Sequence, residues 1–364
     1  MPIEIESPEE LGYDAIANNL SESSFRDMRL ADYEIDGDVS DVLLQYGDHR
    51  GLPRLRELIA ADGDGLASDD VIVTAGAAAA LFAIATVLLG EGGHAVIAGP
   101  NYATNLETPR ALGAEVELLD LRFEESWALD PERLESLLRP ETRLVSLTYP
   151  HNPTGAMIGR AELERVVALV EAHGDAWLLV DETYRELSYA DPLPMAASLS
   201  QRALSVSSMS KTYGLPGLRI GWVACRDPQL SETLLAAKEQ ILICGSAIDE
   251  EMAARVLEAR PRILPGIRER TELHLGVVRH WITAQDAFEW VEPSAGVVCM
   301  PRFRPEVEVD VDRFYESLLS EHGTYVGPGH WFDQDRRSFR LGFAWPELDE
   351  LERGLAGLLA AART

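Results

Sequence analysis

Short apolar runs alternate with helical patterns between residues 71 and 225, and this alternation constrains the fold more than any other feature of the chain. The runs are rich in β-branched residues, whereas the intervening segments repeat apolar residues at helical spacing. Strands that are apolar on both faces and separated by helices are typical of a mostly parallel sheet with helices on both sides. We therefore predict a large α/β domain with seven strands, in the runs VIVTAG from 71, HAVIAGP from 94, AEVELLDL from 114, RLVSLTYP from 143, WLLVDETY from 177, ALSVSSMS from 203 and RIGWVAC from 219.

The pattern changes beyond about residue 249, where a long helical stretch contains two prolines, Pro261 and Pro265, that we expect to break or kink it. Residues 285–364 then mix short strands with helices, which is typical of a small α+β domain. We predict a large domain over 46–270 and a small C-terminal domain over 271–364, preceded by an N-terminal segment over 1–45.

The charge of the chain argues against several classes of partner. The formal net charge is −29, and no run of basic residues overrides it locally, so we expect no nucleic-acid partner. No apolar run approaches the roughly 20 residues that span a bilayer, and residues 1–10 do not resemble a signal peptide, so we expect a cytoplasmic protein without a membrane partner. The three cysteines, Cys225, Cys244 and Cys299, have no metal-ligand spacing and are expected to be core residues, with no metal site.

Polar residues follow four of the predicted strands, at the sheet edge where α/β proteins usually bind ligands. The turn TAGAAAAL opens a helix and presents free backbone N–H groups that suit a phosphate, although most such helix starts bind no anion. Asp181 needs a cationic or hydrogen-bonding partner if it is buried, or else caps a helix. Asn152 is equally typical of a turn. The four groups are Gly76 with Ala77 and Ala78, Asn152, Asp181 with Tyr184, and Ser208 to Lys211.

Lys211 is one of only two lysines in the chain, and its neighbours are serines, glycines and apolar residues rather than charged ones. The other, Lys238 in LLAAKEQ, fits an exposed position better. No glycine stands where a P-loop requires one before Lys211, and neither H-E-x-x-H nor G-x-S-x-G occurs. A lysine in a partly apolar cleft beside a turn that suits a phosphate then favours Schiff-base chemistry, for which pyridoxal phosphate supplies both an aldehyde and a phosphate.

The segment S-x-S-K-x-x-G-x-x-G-x-R-x-G, from Ser208 to Gly221, stands in order with NPTG, DETY and FRLGF. In these motifs, and over nearly its whole length, the chain resembles the fold-type I, class I and II aminotransferases that depend on pyridoxal phosphate. The resemblance implies a fold-type I architecture in which residues 1–45 pack with the small domain and line the substrate pocket. It also implies an amino-acid substrate, a keto-acid acceptor and a homodimer with shared active sites.

The resemblance implies a role for each residue that matches the family pattern around the cofactor ring. Lys211 would hold the cofactor as a Schiff base and move a proton between the substrate Cα and the cofactor. Asp181 would pair with the protonated pyridine nitrogen. Tyr184 and Asn152 would bind the phenolic oxygen, and Tyr102 would stack on the ring.

The phosphate of the cofactor would bind Arg219 and Ser208, together with the turn at Gly76, Ala77 and Ala78. Relatives commonly have Ser or Thr where this chain has Ala78, so one hydroxyl donor is missing and phosphate affinity depends more on Arg219.

The remaining matches concern the partner subunit and the substrate. Tyr46 matches a tyrosine that reaches the phosphate of the other subunit. Arg340 matches the arginine that binds the substrate α-carboxylate, alongside Asn152, although it is also compatible with an exposed arginine on an edge strand. His330, Trp331 and Phe332 are candidates for a pocket wall or for ordinary loop and core positions.

The family resemblance predicts transamination first, in an aminotransferase of amino-acid metabolism. Several stretches, including YPHNPTG, GVVCMPRF and PGHWFDQDRRSFRLGF, also resemble capreomycidine synthase, a cyclising enzyme of arginine-derived antibiotic pathways. Elimination, replacement or cyclisation in specialised metabolism is therefore the alternative. A non-catalytic sensor, as in transcription regulators of this fold, would need an appended DNA-binding domain, which the acidic residues before Tyr46 do not supply.

Overall fold

A seven-stranded sheet forms the centre of the molecule in the computed structural model, which describes residues 6–90 and 92–363. The strands of this part of the chain are β1 Asn18–Asn19, β2 Val71–Thr74, β3 His94–Gly99, β4 Glu115–Asp120, β5 Thr142–Thr148, β6 Trp177–Asp181, β7 Ala203–Ser208, β8 Gly221–Cys225, β9 Phe288–Glu289, β10 Val298–Cys299, β11 Arg302–Phe303, β12 Thr324–Tyr325, β13 Gly327–Pro328 and β14 Phe339–Gly342. The order in the large sheet is β2-β8-β7-β6-β5-β3-β4. Only β8 runs antiparallel to its neighbours, so the predicted mostly parallel sheet is confirmed.

Helices cover both faces of the large sheet because successive strand residues point to opposite sides. Val145 packs in one apolar cluster with Val166, whereas the preceding Leu144 packs in a second cluster with Ile84. The α-helices are α1 Pro8–Leu11, α2 Pro53–Ala60, α3 Ala77–Leu89, α4 Ala103–Ala111, α5 Pro131–Leu137, α6 Arg160–His173, α7 Ala196–Leu199, α8 Pro228–Glu239, α9 Ala247–Glu258, α10 Arg260–Thr283, α11 Val311–Ser320 and α12 Leu348–Ala361.

The two prolines of the long helical stretch behave differently from each other. The break between α9 and α10 falls at Ala259, and Pro261 lies in the first turn of α10, where a missing N–H costs nothing. Pro265 lies inside α10 without ending it. The expected break is thus confirmed near the first proline only. Because α10 is continuous across residues 270 and 271, the domain division there stays a prediction.

The segment from 18 to 28 connects the C-terminal part of the chain to the loop that carries Lys211. At one end, β1 pairs in parallel with β12, and the Gly342 N–H donates to the Leu20 carbonyl at 2.7 Å. At the other end, the Phe25 N–H donates to the Lys211 carbonyl at 2.9 Å. A Cβ atom on Gly342 would overlap the carbonyl oxygen of Glu22, so this close approach requires glycine.

None of the helices between residues 6 and 363, Glu91 aside, is long and apolar enough to cross a membrane. Cys225 and Cys299 are buried, as expected of core residues, whereas Cys244 is half-buried.

Candidate active site

Four strand ends bring the predicted polar residues to one edge of the large sheet. Asp181 and Ser208 are the last residues of β6 and β7, and Asp181 pairs in register with Thr148 at the end of β5. Asn152 follows β5 in a turn that the Gly155 N–H closes by donating to the His151 carbonyl at 2.7 Å. Asn152 therefore lies in a turn, as its residue type indicates, and also at this edge of the sheet.

Lys211 lies half-buried in the loop after β7, and its Nζ donates to the Ser23 hydroxyl at 3.2 Å. Burial lowers the pKa of Lys211, an effect that nearby Glu22 opposes and nearby Arg340 reinforces. A lowered pKa increases the fraction of neutral amine, which is the form able to act as a nucleophile or a base.

Asp181 is buried, and one of its oxygens accepts hydrogen bonds from the Thr183 hydroxyl at 2.6 Å and the Thr183 N–H at 3.1 Å. Burial raises the pKa of Asp181 against the effect of these bonds and of the Asn105 amide. Because a buried carboxylate needs a cation or a donor, this site suits a protonated ring nitrogen. The structure thus fits the cofactor at the position predicted for its pyridine nitrogen.

An amide and hydroxyl network that the sequence analysis missed surrounds Asp181. The Asn101 side-chain oxygen accepts from the Asn105 amide at 3.0 Å and from the Thr148 hydroxyl at 3.1 Å. Asn101 lies one residue before the predicted ligand Tyr102 and Asn105 three residues after it, in the chain segment GPNYATN, and no motif distinguishes them. Their position one turn apart at the start of α4 was the available signal.

Tyr184 and Asn152 both have hydrogen-bond partners within the protein. The Tyr184 hydroxyl donates to the Ser23 carbonyl at 2.7 Å, and burial raises its pKa, so that it stays a donor. The Asn152 side-chain oxygen accepts from Arg340 Nη1 at 3.1 Å. Tyr184 thus contacts the residue whose hydroxyl Lys211 contacts, and Asn152 contacts Arg340 directly.

The turn at Gly76 meets Arg219 and the start of β8. Gly76 has φ +79°, and a Cβ atom there would lie 2.6 Å from Arg219 Nη2. A Cβ atom on Gly221 would overlap the backbone of Gly76 and Ala77, so the strand approaches the turn closely. The positive end of α3 and an exposed guanidinium thus face the same region, which suits a phosphate.

Two further predicted phosphate ligands lie at the same edge of the sheet. The buried Ser208 hydroxyl accepts from the Ser210 N–H at 3.3 Å. Ala78 lies in the first turn of α3, after Ala77.

Arg340 is buried, with 8% of its surface exposed, and not an exposed arginine on an edge strand. It lies on β14, which is the middle strand of the order β10-β14-β13. Its Nη2 donates to the Ser21 carbonyl at 2.6 Å, and its guanidinium lies 4.9 Å from the centre of the Phe332 ring. Phe332 thus lies against the Arg340 guanidinium, whereas His330 and Trp331 both contact the Glu6 carboxylate.

The two predicted tyrosine ligands differ in position. Tyr102 is half-buried at the start of α4, where its N–H donates to the Asn101 side-chain oxygen at 2.7 Å. Tyr46 is 80% exposed and lies outside the site formed by this chain.

The expectation for Lys238 is wrong, because this lysine is buried, with 5% of its surface exposed. Its Nζ donates to the His49 carbonyl, and burial lowers its pKa. Leu230, Leu234 and Lys238 lie four residues apart on the buried face of α8. The helical spacing of these residues was the signal that the sequence interpretation overlooked.

Comparison with known proteins places the chain among enzymes of one family. The family model for aminotransferase class I and II matches residues 18–358. Capreomycidine synthase of Streptomyces vinaceus is 33% identical over 95% of this chain and 88% of its own length. Arginine–pyruvate transaminase AruH of Pseudomonas aeruginosa is 31% identical over 79% of this chain and 74% of its own. The crystal structure of the PLP-dependent cyclase OrfR is 27% identical, with a TM-score of 0.88 over 100% of this chain and 98% of that one.

Proposed function

Because the chain belongs to the class I and II aminotransferase family and is a pyridoxal-phosphate-dependent enzyme, we propose that it transfers the amino group of an amino acid to a keto acid. The observation that carries this proposal is the path of the segment 21–23. Its Ser21 carbonyl accepts from Arg340, and its Ser23 hydroxyl accepts from Lys211. Arg340, which would bind a carboxylate, and Lys211, which would move a proton, therefore contact opposite ends of one short segment, as an α-amino acid requires.

The residues that would hold the cofactor fit its three polar parts. Arg219 and the N–H groups at the start of α3 suit the phosphate, and buried Asp181 suits a protonated ring nitrogen. Tyr184 and Asn152 would offer a hydroxyl and an amide to the phenolic oxygen. When bound, pyridoxal phosphate supplies an aldehyde and a ring that withdraws electrons from the α-carbon.

Lys211 and Arg340 would each act on a different part of the substrate. Arg340 would bind the α-carboxylate bidentately, and its contacts with Ser21 and Phe332 hold the guanidinium in place beforehand. Lys211, whose pKa is lowered by burial, would take the proton from Cα as a neutral amine and return it elsewhere. The segment 18–28 contacts both groups, through the Ser23 hydroxyl at Lys211 and the Ser21 carbonyl at Arg340.

A second candidate reaction is cyclisation, with elimination or replacement in the same class. It is favoured by the 33% identity to capreomycidine synthase along 95% of this chain. The same residues serve either reaction, because both begin with removal of the Cα proton. Such an enzyme would belong to specialised metabolism, including antibiotic biosynthesis, and would need no keto acid.

The proposal includes a homodimer in the cytoplasm. Leu43, Leu44 and Tyr46 are 70%, 71% and 80% exposed, and Ile241 is 62% exposed. The segments around Leu43 and Cys244 line one cleft, and a second copy bound at this surface would cover the exposed apolar side chains of both segments. Tyr46 on this surface would then reach the partner's site. Cysteines without a disulfide suit a reducing compartment.

Stoichiometry distinguishes the two reactions. The enzyme is incubated with each of the common amino acids and with arginine derivatives, without a keto acid, and both product and cofactor are followed. One equivalent of keto product, with the cofactor converted to its amine form, supports transamination. Sustained release of ammonia or of a cyclic product, with the cofactor unchanged, contradicts transamination and supports the second candidate. An enzyme that alters no amino acid in either way contradicts both.

A further inference from the structure

Glu22 lies in the substrate site, between the two residues that contact Arg340 and Lys211. Its neighbour Ser21 accepts from Arg340, and its neighbour Ser23 accepts from Lys211. The backbone of Glu22 packs against Gly342, where only glycine leaves it room. The half-buried carboxylate is therefore close enough to Lys211 and Arg340 for both positive charges to act on it.

The two positive charges that act on Glu22, those of Lys211 and Arg340, would each be engaged by another group in the loaded enzyme. Lys211 and Arg340 favour its ionised form, whereas burial and the nearby Glu9 oppose it, so that the pKa of Glu22 is raised. Arg340 would be neutralised by the α-carboxylate of a bound substrate, and Lys211 would be engaged with the cofactor. Glu22 would then remain half-buried with less compensating charge, which is unfavourable unless the substrate brings a cation.

A hydroxyl group and two stacked aromatic rings lie beside the Glu22 carboxylate. The Tyr13 hydroxyl donates to Glu22 Oε1 at 3.2 Å, and the Tyr13 ring stacks on Trp345 with 6.1 Å between ring centres and 15° between planes. The Trp345 indole N–H donates to Asp27 at 3.3 Å. A guanidinium pairs with a carboxylate in its plane and stacks on aromatic faces, whereas an ammonium does neither as well.

We propose that Glu22 is a specificity-determining residue that binds the positively charged side chain of the substrate, and that the substrate is an amino acid of the arginine type with a guanidinium group. The proposal rests on the proposed function, because it takes the α-carboxylate to be bound by Arg340. Glu22 would then select the charge of the side chain while Arg340 binds the α-carboxylate of the same substrate molecule.

The test compares L-arginine with L-citrulline, which has nearly the same shape but an uncharged urea group. Dissociation constants are measured by calorimetry on the cofactor-loaded enzyme without keto acid, and kcat/KM is measured in parallel. We expect wild type to prefer arginine by roughly 10- to 100-fold, as for a hydrogen bond between charged groups. In Glu22→Gln the preference should fall to near unity, through loss for arginine with little change for citrulline. Glu10→Gln, an exposed change on the same N-terminal segment, should keep the preference.

Each outcome decides the proposal. Equal affinity of wild type for arginine and citrulline overturns it, whether or not Glu22→Gln folds. An equal loss for both ligands in Glu22→Gln also overturns it, because that is the signature of a structural role. Turnover of neutral amino acids without a preference for arginine refutes the charge selection and leaves the proposed function standing. A binding preference for arginine that depends on Glu22, without any reaction, supports the charge selection and refutes the proposed function.

Discussion

Arg340 Nη1 donates to the side-chain oxygen of Asn152 across 3.1 Å, and this contact joins the C-terminal sheet to the turn after β5. The same guanidinium donates to the Ser21 carbonyl and lies over the Phe332 ring. Segments far apart in the chain therefore hold one cation in a fixed orientation. A guanidinium fixed in this way loses little conformational freedom when it binds a carboxylate.

Arg340→Ala should weaken substrate binding by about 2–5 kcal/mol, which is typical when one member of a buried charge pair is removed. The measurement is the dissociation constant of the reactive amino acid, together with the KM of the keto acid. Arg313→Ala, at an exposed arginine of α11, is the control and should leave both values unchanged. Unchanged affinity in Arg340→Ala would show that the carboxylate binds elsewhere.

Borohydride treatment of the loaded enzyme should attach the cofactor to the peptide that contains Lys211. Lys211 has a lowered pKa and a half-buried amine beside Ser23, whereas the Lys238 amine is engaged with the His49 carbonyl. Mass spectrometry of the digested protein identifies the labelled peptide. Lys211→Ala should carry no label and no visible cofactor band, and a label on Lys238 would refute the assignment.

Asp181→Asn should keep the fold, because an amide oxygen can still accept from the Thr183 hydroxyl and N–H. The Asn side chain has no charge to stabilise a protonated ring nitrogen. Removal of the Cα proton should therefore slow by roughly 10²- to 10³-fold, as when one charge-stabilising group is lost. The exchange of the Cα hydrogen with deuterated solvent measures this rate. A rate close to wild type would mean that Asp181 is only a cap.

Sedimentation should give a dimer whose sites depend on Tyr46 from the neighbouring copy. Tyr46→Phe should weaken cofactor binding, because the hydroxyl can no longer reach the partner's phosphate, while its fold is unaffected at an 80% exposed position. Mixing Tyr46→Phe with Lys211→Ala subunits should give hybrid sites of intermediate activity. A fully active monomer would contradict this assembly.

Glu182 should make the protein less stable as the pH rises from about 4.5 to about 7. Burial raises the pKa of Glu182 to about 7, against hydrogen bonds from the Ala196 N–H at 2.7 Å and the Ser205 hydroxyl at 2.8 Å. In this window the unfolded chain has already released the proton that the folded protein keeps, so the free energy of unfolding falls with rising pH.

Glu182→Gln should abolish this decline and gain up to about 3 kcal/mol over wild type above pH 7. Urea unfolding at several pH values measures the difference. Glu141→Gln, at an exposed glutamate, should follow the wild-type curve. Parallel curves for wild type and Glu182→Gln would show that Glu182 does not take up a proton in this range.

The fold was largely predictable because six of the seven strands of the large sheet are mostly buried runs with clear breaks, whereas the edge strand β4 is mostly exposed or half-buried. The run from 71 and the run from 219 both became strands, although their antiparallel pairing left no mark in the pattern. The Ser208–Gly221 motif and the strand ends also indicated side chains that the structure brings to one edge of the sheet. The roles of the individual ligands stay predictions until they are tested.

Other parts of the site could not be predicted from local pattern. Ser21 acts through a backbone carbonyl, which any residue possesses, and Arg340 lies 319 residues away from it. Asn105 and Asn101 belong to a network that exists only when β5 and α4 are packed together. Lys238 was predicted to be exposed because it is charged, although its spacing from Leu230 and Leu234 places it on the buried face of α8.

The hydrogen bond between the Gly342 N–H and the Leu20 carbonyl has a consequence for protein synthesis. Residue 20 emerges from the ribosome long before residue 342 is added, and the N-terminal part of a chain begins to fold as it emerges. The segment around Leu20 must therefore wait, without its final neighbours, until nearly the whole polypeptide has been made. A growing chain that already contains Lys211 consequently lacks the contact between Ser21 and Arg340, which forms only after translation has passed β14.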